Sequence, residues 1–180
     1  MFSSLVRRWK LRLKDMGTIT ALNLGAETIA RKCGEEKPAA EHFLLSALDL
    51  PDGTARRVFE RLGVNPDELD KAFEKQHHEA LDQVGVDASK LEFYEDDFKI
   101  EKPKRVLYEV KPSAQTLMKD LHKLKKEDKD VPLLGLHVLQ VLSAKEYGVV
   151  PRTLKILAIN QKELQDALCK ELEVYMHSMQ

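Results

Sequence analysis

The chain has 180 residues, of which 33% are charged and 6% aromatic, and its 29 basic and 30 acidic side chains leave a formal net charge of −1. That balance argues neither for nucleic acid as a partner nor for an acidic tail, so no nucleic acid is expected, and it fits a soluble helical protein with a salt-bridged surface. Two cysteines without a CxxC pair, Cys33 and Cys169, suit reduced thiols in a cytoplasm, and no apolar run reaches the roughly 18–20 residues of a membrane span.

Residues 1–17 read as a basic amphipathic segment. Phe2, Leu5, Val6, Trp9 and Leu13 recur at helical spacing, while Arg7, Arg8, Lys10, Arg12 and Lys14 precede the first acid, Asp15. No separate apolar core follows the charges, so the segment is not a secretory signal. Two readings stand: the Trp9 side packs against the domain or a partner, or residues 1–14 make peripheral contact with an anionic membrane. Gly17 is expected to end the segment.

Residues 18–83 then read as four short helices. Thr18-Ile19-Thr20 supply caps for a helix that reaches Cys33, with Gly34 as its stop. Pro38-Ala39-Ala40-Glu41 opens a second helix, apolar nearly all round through Phe43, Leu44, Leu45, Ala47 and Leu48. Thr54 starts a third that Gly63 closes, and Asn65-Pro66-Asp67-Glu68 has the cap, proline and early acids of a fourth. Residues 84–112 form a connector of acids, bases and aromatics, in which Val106–Val110 suits a short strand or an extended segment. Residues 113–176 resume the helical pattern, with Leu117, Leu121 and Leu124 on the first stripe and Pro132 opening the next helix.

The second stretch repeats the first. Adding 95 to the residue number carries His42 to His137, Leu44 to Leu139, Gly53 to Gly148, Arg57 to Arg152, Asn65 to Asn160 and Leu69 to Leu164, without a gap. A constant register over residues 18–73 marks two copies of one helical unit. The expected fold is all-α, a pseudo-two-fold pair of four-helix repeats with an extra N-terminal helix.

Glu41-His42-Phe43-Leu44-Leu45-Ser46-Ala47-Leu48, then Gly53, then Arg57 to Asn65 and Leu69, resemble the Clp N-terminal domain, the module at the front of Clp and Hsp100 AAA+ unfoldases. The resemblance spans residues 18–168. The second copy departs from the pattern at Leu136, where the family has glutamate, and at Ala158, where it has glycine. What the resemblance implies is a protein partner: a Clp/Hsp100 unfoldase, its adaptors or its substrates. No ATPase motor is expected, because none of the eight glycines is followed by the lysine a phosphate-binding loop requires and the chain leaves no room for one.

Glu41, at a helix start where backbone N–H groups are free, is the first candidate for ligand or substrate binding. In some members of the family the corresponding glutamate holds the guanidinium of a phosphorylated arginine, with Thr20 here a candidate neighbour on the phosphate side. The plainer reading is that Glu41 complements its helix dipole. His42 and His137 suit helix capping better than metal binding. His77-His78-Glu79 lacks the second histidine of a zinc helix, and adjacent side chains point about 100° apart. No catalytic residues, metal or cofactor are expected, and the chain is read as a binding module and not an enzyme.

Overall fold

A computed structural model describes residues 2–83 and 109–179. Among them are eight α-helices and no strand: α1 (Phe2–Lys32), α2 (Ala40–Leu48), α3 (Thr54–Arg61), a 3₁₀ turn (Pro66–Glu68) leading into α4 (Leu69–Gln83), α5 (Pro112–Glu127), α6 (Gly135–Ser143), α7 (Val149–Ile156) and α8 (Gln161–Ser178). The helix bounds carry the repeat. Shifted by 95, α2 falls on α6 and α3 on α7 residue for residue, and Pro66 falls on Gln161, where α8 begins.

The same local chemistry sets matching elements. His42 accepts the Ala39 N–H on Nδ1 at 2.9 Å, and His137 accepts the Leu134 N–H at 3.0 Å, so an imidazole at the third helical position caps both central helices. The Asn65 and Asn160 side chains accept from the N–H two residues on. At the ends of α3 and α7 the chain turns through a left-handed residue, Gly63 (φ 70°) and Ala158 (φ 55°), closed by Val64 N–H to Phe59 O and Ile159 N–H to Leu154 O. Ala158 does there, with a Cβ, what Gly63 does without one, at a cost of roughly 1 kcal/mol.

Buried α2 and α6 lie side by side at the centre, α1 packs along α2, and α5 along α6. The outer helices cross between halves: α3 lies on α8 and α4 on α7. Helix starts are completed across the same boundary. The Asp52 carboxylate accepts the Gly135 N–H, Thr54 Oγ1 accepts the Leu136 N–H at 3.0 Å, and Ser113 Oγ accepts the Ala40 N–H at 3.2 Å.

Two expected boundaries move. Gly17 does not end a helix: α1 runs straight through it. A glycine inside a helix costs roughly 1 kcal/mol, but contacts on either side outweigh that here. Asp15 Oδ1 accepts the Leu133 N–H at 2.6 Å, Thr18 Oγ1 donates to Leu133 O at 3.2 Å, and Lys14 reaches the Tyr175 hydroxyl at 2.5 Å. For the same reason Thr18 and Thr20 cap nothing. Pro132 does not open α6, which begins at Gly135 because the His137 ring binds the Leu134 N–H. The expected strand at Val106–Val110 falls mostly outside the described residues, and Glu109 and Val110 have no regular structure.

Gly25 permits the closest approach of α1 to α2: a Cβ there stands 2.2 Å from Ser46 Oγ, whose hydroxyl donates to Leu22 O. Gly25→Ala is expected to lower stability by roughly 1–3 kcal/mol. Removing the hydroxyl as well, in Gly25→Ala/Ser46→Ala, is expected to recover part of the loss. Chemical denaturation reads both, and a double variant no more stable than the single one puts the strain elsewhere.

Candidate functional site at the start of helix α2

The residues that begin α2 sit where three elements converge. Glu41 follows Ala40, the first residue of the helix, so its carboxylate stands in the turn whose N–H groups lack helical partners. The side chain is buried, with a relative exposure of 5% for the residue. Helix α4 brings His77 alongside, its Nε2 at 3.8 Å from Glu41 Oε1. From the turn after α1 comes Glu35, 3.8 Å from His42 Nε2, and Lys111, just before α5, holds Glu35 at 2.7 Å.

The surroundings of Glu41 are predominantly acidic. Burial raises the pKa of the Cys33 thiol at the end of α1, and Asp70, Glu35, Glu74 and Glu41 push it the same way. Burial lowers the pKa of His42, opposed by the Glu41 and Glu35 carboxylates. With the Ala39 N–H on Nδ1, the neutral ring keeps its proton on Nε2, toward Glu35. A buried carboxylate among further acids suits the cationic group of a partner better than an anion.

Thr20 lies elsewhere. Its exposed hydroxyl donates back to Met16 O at 2.9 Å, and no hydrogen bond or ion pair links it to Glu41 among the described residues. His77 is half exposed, and no group of three or more His, Cys, Asp or Glu among the described residues is placed to hold a metal ion. Sequence reasoning missed Glu35 and Lys111, which reach the cluster through the fold and have no positional signature.

The second repeat does not rebuild this site. Position for position, Glu41 becomes Leu136 and His77 becomes Leu172, and both leucines belong to the core or pack against it. Near buried His137 is a groove of about 410 Å³, lined by Asp120, Lys123 and Glu127 from α5 and by Lys145 just after α6.

Comparison with known proteins identifies one stretch of the chain. Residues 20–100 match the family model of the Clp repeat (R) N-terminal domain. This stretch is a Clp repeat N-terminal domain. The match takes in Glu41, His42 and His77 and stops inside the connector, and the second repeat continues the same unit by the shared register. Domains of this type are protein-interaction modules and not catalytic ones. No curated protein and no solved structure matches the chain. Among the described residues no helix is long and apolar enough to cross a membrane.

Proposed function

We propose that this Clp repeat domain acts without a motor of its own, as a cytoplasmic adaptor that recruits or regulates the substrates and adaptors of a Clp/Hsp100 unfoldase–protease. The match over residues 20–100 carries the reading. The start of α2 is its contact point, with Glu41 receiving a cationic side chain of the partner, an arginine or its phosphorylated form. The test is direct binding of the purified chain to the unfoldase ring, with and without the ring's own N-terminal domains, and to its adaptors. Binding to an adaptor in competition with those N-terminal domains is expected, weakened by Glu41→Ala. Failure to bind the ring, an adaptor or a substrate overturns the proposal. Titration with phosphoarginine reads the ligand separately, and an equal response from wild type and Glu41→Ala removes that part.

One observation favours a second reading, attachment of the domain to a membrane surface through residues 1–14. The Trp9 side of α1 does not pack on the domain: Trp9 is 64% exposed, and Val6, Leu13 and Met16 on the same stripe are exposed with it. Arg7, Arg8, Lys10 and Arg12 flank the stripe in water. Flotation with anionic vesicles, lost on deleting residues 1–14, is the outcome that supports it.

A further inference from the structure

The two crossings of outer helices are equivalent in register but not in chemistry. Where α3 lies on α8, Glu171 is fully buried, and its carboxylate accepts from Arg57 Nε at 2.5 Å and from Arg61 Nε at 3.0 Å. Where α7 lies on α4, the matching positions are Gln76 for Glu171, Arg152 for Arg57 and Ile156 for Arg61. The carboxylate has become an amide and one guanidinium an isoleucine. Ala80 also stands where the first crossing has Tyr175. The shorter side chains leave a cavity of about 300 Å³, lined by Gln76, Glu79, Ala80, Arg152, Lys155 and Ile156.

The groups left in that cavity are unmatched. Gln76 is 94% buried, and its side-chain oxygen has no hydrogen-bond partner among the described residues. As it stands that oxygen costs roughly 1–3 kcal/mol, and turning the amide over puts its NH₂ in the same place as a donor. Arg152 is exposed, and among the described residues no carboxylate lies within ion-pair distance of it. Glu79, the one acid in the lining among the described residues, is 3.9 Å from Lys75.

We infer that the α4–α7 crossing is a binding site for a carboxylate, which takes the place Glu171 occupies in the other half. The guest accepts from the Arg152 guanidinium. It also accepts from the Gln76 amide, turned so that its NH₂ stands where the oxygen does, the two ends being nearly equal in size. Lys155 adds a second positive charge at the rim. The inference does not rest on the proposed Clp partner or on Glu41, which does not line this cavity.

The test is nuclear magnetic resonance of the full chain, following the Gln76 side-chain NH₂ and Arg152 Nε–H signals. Acetate and chloride are titrated at matched ionic strength, beside two peptides that differ only by glutamate or glutamine at one internal position. Saturable shifts with acetate and none with chloride are expected. Acetate alone identifies a free small carboxylate as the guest, whereas tighter response to the glutamate peptide identifies a side chain of a docked protein. Gln76→Glu supplies the missing carboxylate from within and is expected to abolish the response. Arg152→Gln, a change at an exposed residue, is expected to abolish it too and carries the test should Gln76→Glu not fold. Absence of saturable shifts in the wild type, or shifts unchanged in both variants, overturns the inference.

Discussion

Replacing Arg57 and Arg61 together with alanine is expected to cost the protein roughly 3–5 kcal/mol, a large share of the stability of a domain this size. The reason is Glu171, which is fully buried and has these two guanidinium groups as its only ion-pair partners among the described residues. Without them a charged carboxylate stays desolvated at the α3–α8 crossing. The reverse change is expected to be far milder. In Glu171→Leu the buried charge disappears, and the arginine side chains, 44% and 38% exposed, turn into water. Urea unfolding of the two variants reads the asymmetry. Equal losses, or a larger one for Glu171→Leu, would show that packing and not charge holds this crossing.

The second large effect is acid sensitivity centred on His137. Burial first, and the Lys125 ammonium second, lower its pKa from 6.5 to about 4. Protonation also ends the acceptance of the Leu134 N–H on Nδ1 that caps α6. The unfolded chain therefore binds more protons than the folded one between these values. Stability is full above pH 6.5 and declines as the pH falls toward 4, by roughly 3 kcal/mol from this ring. His42 makes the same bond in the first repeat and shifts in the same direction, but its acidic neighbours work against the shift. Denaturant midpoints between pH 7 and 4 are the measurement. His137→Gln is expected to be less stable at pH 7 and to decline less steeply below 6.5. A wild-type decline that the variant reproduces in full would assign the acid sensitivity to other groups.

Much of the fold was legible because its signals are local. A stripe of leucines, an Asn-Pro cap and a stop glycine need only neighbours along the chain, and the shift of 95 ties two sets of them together. What escaped depends on distant partners. Gly17 reads as a stop because its own preference says so, while the bonds of Asp15 and Thr18 to Leu133, more than a hundred residues away, keep the helix going. Pro132 reads as a start, but the His137 ring fixes the start three residues later. At the candidate site Glu41 stood out through its place in the motif. The approach of His77, 36 positions on, and the Glu35–Lys111 pair follow no helical spacing. Gln76 and Arg152 answer to Glu171 and Arg57 by the same shift, but that the latter two meet, 114 positions apart, shows only in the fold.

The exchange of caps between the halves has a thermodynamic consequence. Neither half can finish the first turn of its own central helix: Gly135 and Leu136 depend on Asp52 and Thr54, and Ala40 depends on Ser113. Opening one half strips donors bare in the other, so partial unfolding saves little and exposes much. Two copies of one unit are in this way tied into a single cooperative entity, which is expected to melt in one transition although its halves differ in sequence.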